Sequence, residues 1–124
     1  FTTAILENRS PTVFGDGEQS RDFTYVENVV RANLLSADAP KKAVGKVFNV
    51  GCGDKVTVNQ VIAAINRVLG KNVPSVHVPP RAGDVRHSHA DISLARELLG
   101  FTPVVSFEDG LRKTVEFFKN ARRT

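Results

Sequence analysis

Short runs of β-forming residues alternate along this chain with stretches of helical periodicity, and glycine or proline stands near most of the boundaries between them. The strand-like runs cover residues 11–14, 21–26, 46–50 and 75–78. The helical patterns cover residues 1–8 (the end of a helix), 27–37, 57–69 and 92–99, and the stretch from residue 106 onward. Alternation of this kind favours an α/β fold. We predict one small α/β domain over residues 1–124, with short strands and about four helices.

Helix termini are encoded by local side chains. Thr57 and Gln60 form a capping box ahead of an apolar helical face, and Gly70 ends that helix. Asp91 and Ser106 are predicted as the N-caps of the two later helices. These signals predict where three helices begin without reference to the rest of the fold.

Two glycine pairs, Gly15 with Gly17 and Gly51 with Gly53, are the candidates for a phosphate-binding loop. Neither has the spacing of a glycine-rich loop that follows a strand and opens a helix. They are predicted to be turns. The chain is therefore expected to lack a nicotinamide-binding Rossmann half of its own.

Composition limits the class of protein. No apolar run reaches the length of about 18 residues that suggests a membrane span. The single cysteine, Cys52, excludes an internal disulfide and is typical of the reducing cytoplasm, where a small buried thiol is favoured over a nucleophile. Because the chain has no methionine and begins at Phe1 inside an apolar pattern, we expect it to be a piece of a longer protein.

The formal net charge of +4 suits an anionic ligand. Part of the excess lies in Lys119, Arg122 and Arg123, which are predicted to be a solvated helix end. No arginine-rich run or interleaving of basic and aromatic residues supports nucleic-acid binding, so that class of partner is not expected, and neither is a membrane.

The densest group of polar side chains lies in residues 80–91, just before a helical pattern. Arg81 and Arg86 supply guanidinium forks that suit phosphate oxygens. Asp84 is predicted to orient Arg81, to accept a sugar hydroxyl or to bond to turn amides. His87 and His89 have the spacing of a metal-binding pair, but no third ligand accompanies them, so no metal site is predicted. Composition alone makes this loop a candidate anion site.

Three polar residues outside this loop, taken one at a time, are predicted to have structural roles. Arg21 is predicted to be a surface arginine that opens a strand, and His77 a half-buried strand residue. Tyr25 has no lysine four residues later and is predicted to pack rather than to act as an acid or base.

Four motifs follow one another along nearly the whole chain. They are Phe14-Gly15-Asp16-Gly17 leading to Arg21-Asp22-Phe23-Thr24-Tyr25-Val26, then Phe48-Asn49-Val50-Gly51, then Arg81-Ala82-Gly83-Asp84-Val85-Arg86-His87-Ser88 with Ala90-Asp91-Ile92-Ser93-Leu94-Ala95 and Leu98-Leu99-Gly100-Phe101, and last Phe107-Glu108-Asp109-Gly110-Leu111. In this order they resemble the C-terminal, substrate-binding part of the extended short-chain dehydrogenase/reductases, the NAD-dependent sugar-nucleotide epimerases and dehydratases. Leu94 stands where that family often has lysine.

The resemblance implies a set of substrate-binding residues. Arg21 and Arg81 match two arginines that grip the nucleotide diphosphate, and Asp84 matches an acidic residue that contacts the nucleotide or steadies its arginine. Ser88 matches the position that borders the sugar 2-substituent, where a serine leaves room for an N-acetyl group. The strand beside the nucleotide base is matched by Thr12, Val13 and Phe14.

The resemblance also implies what this chain does not contain. The dinucleotide glycine motif and the catalytic Tyr-x-x-x-Lys lie upstream of Phe1, so no catalytic residue is expected here and NAD is expected only in the full-length enzyme. The closest resemblance is to UDP-glucose and UDP-N-acetylglucosamine 4-epimerases. A dehydratase, decarboxylase or reductase of the same family, and a non-catalytic nucleotide-sugar-binding module, remain alternatives. We expect a homodimer at full length, and self-association of this piece through residues 1–8.

Overall fold

A computed structural model describes residues 1–121, in which five helices are interleaved with four short strands. In chain order these are α1 (Thr2–Leu6), β1 (Thr12–Phe14), β2 (Ser20–Arg21), α2 (Val26–Ala37), β3 (Val56–Thr57), α3 (Val58–Leu69), β4 (Val76–Val78), α4 (Ser93–Leu99) and α5 (Phe107–Asn120). The predicted α/β class is confirmed. Arg122 and Arg123 lie outside the described residues.

Local capping signals place two of the long helices as predicted. The Thr57 hydroxyl accepts the Gln60 N–H at 3.2 Å, and the Gln60 side chain accepts the Thr57 N–H at 2.8 Å. Gly70 ends α3 in the left-handed conformation with φ of 62°. Ser106 accepts the Asp109 N–H at 3.1 Å and caps α5. The ends of both helices therefore follow from short-range chemistry.

The predicted cap of α4 was wrong by one residue. Ile92 occupies the N-cap position, and the Asp91 carboxylate accepts the N–H of Ser93 at 2.9 Å from one residue further upstream. Hydrogen bonding from the Ser93 side chain, and then from its backbone N–H, lowers the pKa of Asp91, since the ionised form is the better acceptor. The aspartate still stabilises the helix start, but through an Asx turn rather than as the cap itself.

The strands form two small pairings. β1 and β4 are parallel, with Phe14 opposite Val78, and β2 and β3 are antiparallel, with Arg21 opposite Val56. An isolated bridge joins Ser20 to His87.

The strand predicted over residues 21–26 stops after Arg21. The next residue, Asp22, accepts hydrogen bonds from the backbone N–H groups of Cys52 and Gly53 at 2.8 and 3.1 Å. The strand predicted over residues 46–50 was also wrong. Phe48 and Val50 are half-buried and Val47 is exposed, so the alternation survives, but among the described residues no strand pairs with this segment.

Two apolar clusters hold the helices and strands together. One joins α1, β1, α3 and α5 and includes Ile5, Val13, Val61, Ile62, Ile65 and Val115. The other joins α2, α4 and the short turn Lys41–Ala43 and includes Ala32, Ala43, Ile92, Ala95, Leu99 and Phe101. Burial of these side chains supplies the main driving force for folding.

Asn28 connects α2 to the extended segment at residues 104–105. Its side chain is fully buried, its Oδ1 accepts the N–H groups of Val104 and Val105 at 2.9 and 3.0 Å, and its Nδ2 donates to the Val105 carbonyl at 2.8 Å. An asparagine amide replaces a β-ladder here, satisfying the backbone of an extended segment that has no neighbouring strand.

Within residues 1–121, no helix combines the length and the apolar character needed to cross a membrane.

Candidate functional site

The parallel pairing of β1 and β4 creates the site. Because the two strands run in the same direction, their carboxyl ends meet, and Phe14 at the end of β1 faces the loop that leaves β4 at Val78. Gly15 reinforces this junction by donating its N–H to the Val78 carbonyl at 2.8 Å. The loop then passes over β1 and bounds a cleft of about 290 Å³. The cleft residues predicted from the sequence are Thr12, Val13, Phe14, Arg81 and Asp84.

Arg81 lies over the ring of Phe14. Its guanidinium carbon is 3.8 Å from the ring centroid, which is a cation–π contact. The contact holds the guanidinium on the face of the ring beside the cleft. A cation held in this way is prepared for a planar pair of anionic oxygens.

Arg21, at the end of β2, does not line the cleft but binds Asp84, which does. Its Nη1 donates to the Ser20 carbonyl at 2.8 Å and its Nη2 donates to Asp84 at 2.5 Å. Asp84 therefore steadies Arg21, and the predicted pairing of Asp84 with Arg81 is not the one formed. Arg81 is instead held on the Phe14 ring by the cation–π contact.

The β1 residues differ in what they present. Val13 is only 1% exposed and belongs to the core, so it reaches a ligand through its main chain alone. Thr12 is exposed and Phe14 is half-buried. Gln19 donates to the Phe14 carbonyl at 2.7 Å and also lines the cleft, a residue that the sequence reasoning missed.

Ser88 is positioned separately. Its N–H donates to the Ser20 carbonyl at 3.1 Å, next to the Ser20–His87 bridge. It is exposed and does not line the cleft formed by the other predicted residues. The structure thus brings five of the seven predicted residues to the cleft, joins Arg21 to it through Asp84, and sets Ser88 beside Ser20 of β2.

A second ion pair between the two loops was not anticipated. Arg86 donates from both terminal nitrogens to the two carboxylate oxygens of Asp16, each at 2.9 Å. The pairing lowers the pKa of Asp16 and raises the pKa of Arg86, because each charge stabilises the other. Both residues were visible as a turn carboxylate and a loop cation, but their contact spans 70 positions and had no local signal.

The three histidines are engaged in hydrogen bonds. His87 Nδ1 is 2.9 Å from the Ser20 hydroxyl, and His89 Nε2 is 2.9 Å from the Gly53 carbonyl. His77 is exposed rather than half-buried as predicted, because among the described residues β4 pairs with β1 alone. Its Nδ1 is 2.8 Å from the Gly15 carbonyl. Among residues 1–121, no three potential ligands come together as a metal site.

A larger apolar cavity of about 400 Å³ lies between α1, α3 and α5. It is lined by Phe1, Phe23, Tyr25, Val26, Phe107 and Leu111 among others. Tyr25 packs on Gly110, and Lys113 Nζ lies 5.3 Å from its ring centroid, consistent with the predicted packing role. The cavity brings no cluster of reactive groups together.

Comparison with known proteins agrees with this arrangement. Residues 1–114 match the family model described as GDP-mannose 4,6 dehydratase. The chain belongs to the NAD-dependent epimerase/dehydratase family. The resemblance predicted from the four motifs is therefore confirmed.

Individual relatives place the chain within this family. It is 41% identical over 121 residues to a UDP-glucose 4-epimerase of Mycolicibacterium smegmatis, covering 97% of this chain and 38% of that protein. The chain thus spans well under half the length of the curated relatives it matches. Its similarity extends to the C-terminal part of these epimerases.

Solved structures of family members superpose closely on the chain. The UDP-glucose 4-epimerase of Thermotoga maritima with UDP-glucose gives a TM-score of 0.91 at 43% identity, covering 98% of this chain and 38% of that chain. The UDP-glucuronic acid 4-epimerase of Bacillus cereus, in complex with UDP-glucuronic acid and NAD, also gives 0.91, at 31% identity, covering 97% and 38%. Both are UDP-sugar epimerases, and their sugars differ.

Proposed function

We propose that this chain is the nucleotide-sugar-binding part of an NAD-dependent UDP-hexose 4-epimerase. The observation that carries the proposal is the placement of two guanidinium groups at one cleft, Arg81 lining it on the Phe14 ring and Arg21 bound to Asp84, which also lines it. The solved relatives with UDP-glucose and UDP-glucuronic acid support a UDP-sugar as the ligand.

In this proposal each residue has a physical task. Arg21 and Arg81 bind the diphosphate, with charge-assisted hydrogen bonds of roughly 1.5–3 kcal/mol each. Asp84 orients Arg21 and contacts the nucleotide. The base lies along β1, against the main chain of Thr12 and Val13 and the ring of Phe14.

Ser88 borders the sugar, and its small side chain is the reason to include N-acetylated hexoses among the substrates. The residue is exposed and anchored by its backbone N–H to Ser20, so its side chain is not committed to the fold by that bond. A larger residue here is expected to narrow the range of sugars accepted.

NAD does not fit the described residues as a ligand. Gly17 leads into β2, and a two-residue strand separates Gly53 from α3, so neither glycine pair opens a helix onto a pyrophosphate. We place the NAD-binding and catalytic residues in a part of the protein outside this chain, where the cofactor supplies the redox chemistry.

Calorimetric titration with UDP tests the binding proposal. The longest natural protein that contains this chain is expected to bind UDP, and Arg21→Ala and Arg81→Ala are each expected to weaken binding by at least tenfold, about 1.4 kcal/mol. Arg31→Ala, on the exposed face of α2, serves as the matched control. UDP affinity that is unchanged in both site variants contradicts the proposal.

A family dehydratase is the second candidate, since the matched family model is described as one. The two reactions differ in their products. An epimerase converts UDP-glucose to UDP-galactose with no change in mass, whereas a dehydratase removes one water from the sugar. Mass spectrometry of the product, with proton NMR of the sugar, separates them.

A further inference from the structure

We propose that Arg86 is a positioning residue for the nucleotide site. Its ion pair with Asp16 holds the loop that carries Arg81 and Asp84 against the turn that follows Phe14, and so sets the width of the cleft. This inference rests on the proposed function, because the cleft is the one that we assign to the nucleotide diphosphate.

The contact is geometrically specific. The two terminal nitrogens of Arg86 donate to the two oxygens of Asp16 at 2.9 Å each, a fork-to-fork arrangement that fixes both planes. The Glu18 N–H donates to Asp16 Oδ1 at 2.9 Å as well, so the carboxylate is anchored to its own turn. Because Asp16 is bound to its own turn and to Arg86, the position of that turn determines the position of the loop that carries Arg86.

Backbone bonds anchor the loop at its two ends. Gly15 donates to Val78 at the start, and Ser20 donates to the Arg86 carbonyl at 2.9 Å at the end. Between these anchors the Asp84 N–H turns back on the Arg81 carbonyl at 3.3 Å, a bond within the loop itself. Side-chain contacts therefore decide where the middle of the loop lies, and the Arg86–Asp16 pair is one of them.

Stability alone does not account for this pair. The two side chains are 57% and 54% exposed, and exposed ion pairs add little to the free energy of unfolding. A diphosphate clamp, in contrast, depends on donors that are already in place, since ordering them on binding weakens the affinity. The pair fits the second role better than the first.

UDP titrations of a double-mutant cycle test the role, in the longest natural protein that contains this chain. Arg86→Ala and Asp16→Ala are each expected to weaken UDP binding by about three- to tenfold, and the double variant no further, because both remove the same contact. The reversed pair, Arg86→Asp with Asp16→Arg, is expected to regain affinity relative to either of its single changes. Thermal midpoints are expected to stay near that of the unmodified protein.

Arg112→Ala is the matched control. It breaks an ion pair with Asp109 of the same 2.9 Å length and similar exposure, on α5, which contributes no residue to the cleft. Its UDP affinity is expected to equal that of the unmodified protein.

The outcomes separate this inference from the proposed function. If Arg86→Ala weakens UDP binding while Asp16→Ala strengthens it or leaves it unchanged, Arg86 contacts the ligand directly and the positioning role is overturned. If Arg86→Ala has no effect while Arg81→Ala weakens binding, the inference fails and the proposed function stands. If the unmodified protein does not bind UDP, both are overturned.

Discussion

Arg21 and Asp84 stand 63 positions apart in the chain and share a hydrogen bond of 2.5 Å at the mouth of the cleft. The same guanidinium donates from its other terminal nitrogen to the Ser20 carbonyl. Two acceptors in two directions require a fork, which lysine lacks. The positive charge of Arg21 alone is therefore not sufficient to make both contacts, and the shape of the guanidinium is needed as well.

Arg21→Lys is therefore expected to keep the fold but to lose UDP affinity by roughly tenfold, about 1.4 kcal/mol. Calorimetry of UDP binding measures the loss, and circular dichroism shows whether the fold is retained. Arg96→Lys, on the exposed side of α4, is the control for the substitution itself. Equal UDP affinity in the Arg21 and Arg96 variants contradicts a role for the guanidinium geometry.

Asn28→Ala is expected to lower the free energy of unfolding by about 2–4 kcal/mol, because it leaves the buried N–H and C=O groups of Val105, and the partly buried N–H of Val104, without partners. Asn28→Asp is expected to destabilise as well, since an ionised carboxylate cannot donate to the Val105 carbonyl. Urea unfolding measures both variants. Asn33→Ala, exposed on the same helix, is the comparison, and equal losses at the two positions contradict the predicted role.

Gly110→Ala is expected to destabilise the chain even though alanine is the better helix former. A Cβ added at this position lies 2.6 Å from the Cβ of Tyr25 and 2.9 Å from its Cγ, too close for either atom to remain in place. Crowding of this kind costs about 1–3 kcal/mol. Thermal unfolding tests it against Glu116→Ala on the exposed side of α5. A stabilised Gly110→Ala variant is the result that excludes the close packing of Tyr25.

Cys52 is expected to react slowly with iodoacetamide near neutral pH. Cys52 is half-buried rather than buried as predicted. Its partial burial raises the pKa of the thiol, so at a given pH the folded chain holds less thiolate, the reactive form, than the unfolded chain. The pH at which the alkylation rate rises is expected to be higher for the folded chain in buffer than for the unfolded chain in urea. Because the chain has one cysteine, the unfolded chain is its own control. If the alkylation rate of the folded chain rises at the same pH as that of the unfolded chain, or at a lower pH, the burial argument is contradicted.

Local signals predicted the helices well. The capping box of Thr57 and Gln60 and the cap at Ser106 depend on residues within three positions of each other, so the sequence contains the whole interaction. Strands depend on partners elsewhere. Residues 46–50 have the right composition and the right alternation, but pairing is decided by what lies beside them.

The site divides in the same way. The two diphosphate arginines and Asp84 were found from motif order, because each motif is continuous in the sequence. The pairing of carboxylates with arginines could not be predicted from the sequence, since the partners of Asp84 and Arg86 lie more than 60 positions away. That pairing is set by the parallel register of β1 and β4 and by the Ser20–His87 bridge.

The extended segment at residues 46–50 has a practical consequence for work with this chain. Val47 is 88% exposed, and the N–H groups of residues 47–50 have no backbone partner among the described residues. An apolar, unpaired length of backbone is a template onto which another polypeptide can add as a strand. We therefore expect the isolated chain to aggregate through this edge at high concentration, and Val47→Lys to reduce that aggregation.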